Sequence, residues 1–170
     1  MAELASISER RIERLVNGSL SGLPKFLTRN GGLHSGLMIA QYTAASIVSE
    51  NKVLCHPGSV DSIPTSANQE DHNSMGSVSA RKLWKVLKNA QRVISIEMLC
   101  ATQALDLVRK MQQKKLCFGK GTEAAYSAVR RSVKFMERDR FLYPDIQKMI
   151  EIVVGGKVLN EVEKAIGELE

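Results

Sequence analysis

Between positions 55 and 76 the chain gathers side chains able to handle a proton or a polar ligand. His56, Asp61, Asn68, Gln69, Glu70, Asp71 and His72 all fall within CHPGSVDSIPTSANQEDHNSMG. A carboxylate in such a loop, pressed against long buried helices, is expected to lose solvation. That raises a carboxyl pKa and suits the group to acid–base work or to holding an imidazole ring. A second reading stands beside it: Asp and Asn most often cap helices and close turns. Two prolines, no flexible repeat and the apolar Val60, Ile63 and Met75 set the segment apart from a linker. Structureless connections of this length are functional or disordered, and this composition favours function.

Other candidate chemistry is weaker. His34, His56 and His72 are 22 and 16 residues apart, spacings that match no local metal-ligand motif, so hydrogen-bonded loop histidines and no metal site are expected. Cys55, Cys100 and Cys117 are odd in number, widely spaced and without a CxxC, which predicts reduced thiols rather than a disulfide framework or structural zinc. Cys100 and Trp84 read as packing residues, Trp84 as an anchor between helices. Asn30-Gly31-Gly32 lacks the Lys-Ser/Thr of a phosphate-binding loop. The net charge of +6 raises the question of nucleic acid. Arg81, Lys82, Lys85, Lys88 and Arg92, extended by Arg109, Lys110, Lys114, Lys115 and Lys120, are interleaved with few aromatics beyond Trp84 and Phe118. A solvated helix face fits that pattern better than a nucleic-acid groove.

The elements that must position these groups are helical. The periodicity predicts helices over 3–16, 36–54, 77–113, 123–137, 144–154 and 157–169, and the strand signal is nearly absent: an all-α bundle of long helices. Ser8, Glu9 and the following Arg/Glu pairs suit a first helix with a solvated polar face. Glycines, Asn17 and Pro24 make 17–35 loop-like. Residues 36–54 are apolar nearly all round, which demands neighbours on every side and predicts a larger bundle or an oligomer. More than thirty residues without proline make 77–113 one long helix. Gly119 and Gly121 break it, Thr122 is placed to cap the next helix, and Pro144 suits a first turn. At 170 residues, 44% hydrophobic and 25% charged, the chain suits one ordinary domain or a piece of a larger one. MAELASISERRIERL has no apolar core of a signal peptide and no run reaches the roughly 18–20 residues of a membrane span, so a soluble, cytoplasmic protein is expected.

The stretches SGLPKFLTRNGGLHSGLMIAQYTAASIVSENK (21–52) and SVDSIPTSANQEDHNSM (59–75) closely resemble histidine ammonia-lyases. SISERRIERLVNGSLSGLP and ERDRFLYPDI (137–146) fit the same family, so the resemblance runs from about residue 4 to about residue 152. It implies a helical C-terminal portion of a homotetrameric enzyme that eliminates ammonia from L-histidine to give urocanate. It also implies active sites shared between subunits, with the 55–76 loop reaching into one. By motif position Glu70 is the family's active-site glutamate, expected beside the substrate imidazole. Related phenylalanine and tyrosine lyases tend to carry Gln there, so Glu70 leans toward histidine. Gln69 and Asn68 flank it, either lining the site or shaping the loop.

The family's electrophile is a methylidene-imidazolone made from Ala-Ser-Gly, and no such tripeptide occurs here: Leu20 precedes Ser21-Gly22 and His34 precedes Ser35-Gly36. The segments that supply the family's base and carboxylate clamp are also missing. The resemblance therefore implies a chain inactive alone and complemented by an N-terminal lyase half, whether from a split gene or a truncation. A non-catalytic helical assembly module is the rival reading, and a basic nucleic-acid-binding protein a third. Self-association through long helices, as dimer or tetramer, is expected on either of the first two.

Overall fold

The computed structural model of the chain describes residues 1–112 and 117–169, and these are helical with no strand among them. Seven α-helices follow in order: α1 (Ala2–Val16), α2 (Gly18–Ser21), α3 (Met38–Leu54), α4 (Gly76–Met111), α5 (Lys120–Ser132), α6 (Tyr143–Val154) and α7 (Lys157–Ile166). The all-α expectation holds. Lys114, Lys115 and the expected helix end at 113 lie outside the described residues.

The spine is α4, whose 36 residues make a rod of about 54 Å at 1.5 Å per residue. Nothing between Gly76 and Met111 interrupts the ladder, and Arg109 and Lys110 in its last turn complement the negative end of the helix dipole. Its buried positions Val86, Ala90, Val93, Ile96, Leu99, Cys100, Ala104 and Leu107 recur at three- and four-residue steps. Against this stripe pack α1, α3 and α6, while α5 pairs with α7. Ala40, Ala44 and Val48 bring α3 close to the spine because two of the three are small.

Four features bear on the expectations from sequence. The polar face of α1 is not wholly solvated: Ser8 and Glu9 are buried. Ser8 donates to Glu97 at 2.5 Å, and Glu9 receives Gln41 Nε2 at 2.8 Å. Within one chain α3 is covered on one side only, with Ile39, Tyr42 and Val53 exposed. Trp84 is 60% exposed and anchors no other helix of this chain; Lys88 lies 4.7 Å above its ring. The fourth concerns α5, which starts at Lys120 after Gly119, so Thr122 sits inside its first turn and caps nothing. It also stops at Ser132 rather than at 137, because Val133 turns extended and both Val133 and Met136 are drawn into the core. Gln103 holds that departure, receiving the Met136 N–H at 3.1 Å and donating to the Met136 carbonyl at 3.0 Å.

Within the 17–35 segment, Asn17 caps α2 through its side chain, accepting from Ser19 N–H at 3.2 Å. Phe26 and Leu27 then adopt left-handed backbone at φ 57° and 55°. Gly36, at φ 57°, crosses that turn so closely that a Cβ would lie 2.4 Å from the Phe26 carbonyl oxygen. No described helix is long and apolar enough to cross a membrane.

Candidate functional site

The segment joining α3 to α4 is rooted at its first residues. Lys82 of α4 donates to the His56 carbonyl, and Gly58 sits against Ser79, where a Cβ would meet the hydroxyl at 2.6 Å. Beyond this root the polypeptide is mostly exposed, and Glu70 with it. The loop is not pressed against the helices, so the burial that the sequence suggested for a carboxylate here is not found within one chain.

What the loop has instead is internal order. Thr65 and Glu70 face each other through paired main-chain bonds, Thr65 N–H to Glu70 O at 2.9 Å and Glu70 N–H to Thr65 O at 3.3 Å. The turn between them is left-handed at three consecutive non-glycine residues: Ser66 (φ 53°), Ala67 (φ 54°) and Asn68 (φ 69°). Each such residue costs about 1–2 kcal/mol in regular left-handed backbone, somewhat less for Asn, so the turn persists only where its surroundings hold it. The Glu70 carboxylate folds back over this turn. Its Oε2 accepts from Thr65 Oγ1 at 3.0 Å and from Ser66 Oγ at 3.4 Å. Oε1 accepts no hydrogen bond among the described residues.

The three residues singled out from sequence are therefore contiguous on one turn. Asn68 and Gln69 are exposed, and their amide side chains make no hydrogen bond among the described residues. Asp71 and His72 are exposed beside them, and His72 lines a small cavity of 210 Å³ with Asp61, Asn73 and Ser79. Asp61 accepts the N–H of the adjacent Ser62 at 2.7 Å. His34, His56 and His72 are not brought together, and no cluster of three or more His, Cys, Asp or Glu side chains able to hold a metal is found among the described residues. The basic residues divide. Arg109 pairs with Glu123 and stacks 4.4 Å from both Phe118 and Tyr126. Lys110 meets Glu137, in the segment between α5 and α6, at 3.2 Å, so this part of the basic run ties α4 to α5 and to the chain that leaves it.

Cys100 is wholly buried, and desolvation, with Glu97 nearby, pushes its thiol up to about 12. It stays protonated as packing. Two polar residues that sequence reading missed hold loops. Asp139 accepts from the Ser35 and Gly36 amides at 2.8 and 2.9 Å, and these bonds, Ser35 first, hold its carboxyl below the usual range. Asn73 is tied into the Glu70 loop through five hydrogen bonds to four residues, described below. Asp139 has no local signal, because its partners are more than a hundred residues away in sequence, whereas the partners of Asn73 lie three to eleven residues before it. An apolar groove of 560 Å³ between α3, α4 and α6 includes Ile39, Arg92, Asp139 and Tyr143 but none of residues 55–76.

The pattern of the family described as aromatic amino acid lyase matches residues 1–131. The histidine ammonia-lyase of Symbiobacterium thermophilum is 58% identical over 170 residues, covering 100% of this chain and 32% of that protein. The crystal structure of histidine ammonia-lyase from Trypanosoma cruzi superposes with a TM-score of 0.90 at 50% identity, over 98% of this chain and 32% of that one. The tyrosine aminomutase of Streptomyces globisporus superposes with a TM-score of 0.89 at 34% identity, over 99% of this chain and 31% of that one. The chain thus spans about a third of the length of the relatives it matches.

Proposed function

Since the chain belongs to the aromatic amino acid lyase family, we propose that it forms the C-terminal part of a histidine ammonia-lyase, the enzyme that converts L-histidine into urocanate and ammonia. Fold alone does not choose the reaction, because a histidine lyase and a tyrosine aminomutase superpose on it almost equally well. Identity favours the lyase, at 50% against 34% for the aminomutase.

The observation that carries the reading is the Glu70 carboxylate, exposed at a turn and bonded through Oε2 to two hydroxyls. A carboxylate so placed accepts an imidazole N–H, a donor that a phenyl ring lacks. Glu70 is the residue assigned to orient the substrate ring, with a share in proton transfer; Asn68 and Gln69 line the same side. The 55–76 loop is then the functional segment of a single helical unit, residues 1–170.

The methylidene-imidazolone of this family supplies the electrophile for elimination. These 170 residues contain no Ala-Ser-Gly and do not form it. The electrophile, base and carboxylate clamp come from residues outside this sequence, and the chain by itself does not turn over histidine. Copies of the chain associate through their long helices.

The test is a graft of these 170 residues onto the first two thirds of the Symbiobacterium thermophilum enzyme, assayed by urocanate absorbance. The graft is expected to consume histidine, and Glu70→Ala to lower kcat/KM by several orders of magnitude with the helical core intact. An unchanged rate removes Glu70 from the site. Urocanate made by the isolated chain would refute its dependence on a preceding segment.

A further inference from the structure

The turn that presents Glu70 is tied from within by a residue that no motif singles out. Asn73 is half-buried beneath the loop. Its Nδ2 faces three acceptors with two hydrogens, the Ile63 carbonyl at 2.9 Å, the Glu70 carbonyl at 3.0 Å and Thr65 Oγ1 at 3.2 Å, so one N–H is shared between two of them. Its main-chain N–H donates to Ser62 Oγ at 2.8 Å, and that hydroxyl donates back to the Asn73 carbonyl at 3.4 Å. One residue therefore holds both limbs of the loop, the incoming one at 62–65 and the outgoing one at Glu70. Every one of these bonds stays within residues 62–73, so Asn73 contributes to the loop and not to the helical bundle.

The direction of the bonds is set by chemistry. An ionised carboxylate only accepts, so Thr65 must give its single hydroxyl proton to Glu70 Oε2. The Thr65 oxygen is then free to accept, and the group facing it is the Asn73 amide, a donor. The series runs Asn73 N–H to Thr65 O–H to Glu70 carboxylate, each bond polarising the next. The same amide draws the Glu70 and Ile63 carbonyls together across the left-handed turn, whose backbone has no intrinsic preference for that shape at Ser66 or Ala67.

We propose that Asn73 is the positioning residue of Glu70, holding the left-handed turn closed and turning the Thr65 hydroxyl onto the carboxylate. This rests on the reading of Glu70 as the group that meets substrate. Two consequences follow from the donor direction. Asn73→Asp, which is isosteric, sets a carboxylate against two carbonyls and competes for the Thr65 proton, so it is worse than Asn73→Ala. Thr65→Ser keeps the relay and Thr65→Val breaks it.

In the grafted enzyme described above, Asn73→Ala is expected to lower kcat/KM on the order of 10- to 100-fold, the scale of a misplaced catalytic contact. Thermal unfolding followed by circular dichroism should be unmoved. In a Glu70→Ala background the same substitution should cost nothing further, because a residue that acts through Glu70 has nothing left to act on. Equal losses with and without Glu70 overturn the proposal while leaving the Glu70 reading intact. If Glu70→Ala costs nothing, that reading falls and the positioning role with it. On the 170-residue chain itself, hydrogen exchange should show the Thr65 and Glu70 amides losing protection in Asn73→Ala but keeping it in Glu70→Ala. Unchanged protection in Asn73→Ala overturns the proposal without reference to activity. If the long graft does not assemble, exchanging residues 55–76 alone carries the same kinetic comparison.

Discussion

A single buried amide can fix where a helix stops. Gln103 is buried and fully paired: it donates to the carbonyls of Leu27 at 3.3 Å and Met136 at 3.0 Å, and accepts from Met136 N–H at 3.1 Å. It thereby joins the left-handed Phe26–Leu27 turn to the chain leaving α5. Replacement by Leu fills the space but strands three main-chain groups, and each buried unpaired group costs about 1–3 kcal/mol. Gln103→Leu should therefore lower stability by about 2–4 kcal/mol in urea titration, a large effect for one side chain. Glu70 behaves differently. It is exposed and contributes little to the fold, so its substitution is expected to separate activity from stability. Neither role was readable from residue type. Glu70 is singled out only through family resemblance, whereas Gln103 resembles any other polar residue of a long helix.

The helices themselves were legible because their signals are local. Apolar spacing located α1, α3, α4, α6 and α7, and Pro144 marked the first turn of α6. What escaped was set by distant partners: the early end of α5, held by Gln103 and by Arg130 donating to the Val133 carbonyl at 3.0 Å, and the left-handed run Ser66–Asn68. Ser and Ala are not residues that advertise positive φ. The entry to α3 is of the same kind. There Asp139, far away in sequence, holds the Ser35 and Gly36 amides ahead of the first turn. Its carboxyl titrates lower in the folded chain than the ordinary 3.8. A depressed folded pKa means stability that is present above the unfolded value and lost as pH falls through the folded one. Asp139→Asn should therefore be less stable than the parent at pH 7. The difference should shrink once the pH drops below about 4, as measured by urea unfolding at each pH. A gap that stays constant down to pH 2.5 would show that the carboxylate charge does not matter there.

At the scale of the whole molecule, α3 carries a second stripe that this chain leaves open. Ile39, Tyr42, Ser46, Ser49 and Val53 are all exposed and recur at steps of three and four, with small serines at the centre. That is the pattern of a helix that lies against another helix at close range. Together with exposed Leu83 and Trp84 on α4, it supports association between copies. Sedimentation should show a dimer or tetramer, and Tyr42→Asp should shift it toward the 18.8 kDa monomer with its helicity intact. A parent chain that already sediments as a monomer would remove this prediction. The apolar run of α3 announced this surface in the sequence. Its division into one stripe for α4 and another facing out appears only once the chain is folded.

The Glu70 loop is attached to this bundle chiefly at its root, where His56 and Gly58 meet the first turns of α4. Its tip buries almost no apolar surface and is held by exposed hydrogen bonds, the kind that open at small cost while a core stays closed. The left-handed turn stores strain that opening releases. Mild heating or low denaturant thus reaches the tip well before the helices. A sample whose loop tip has opened still looks fully folded to any probe that counts helix.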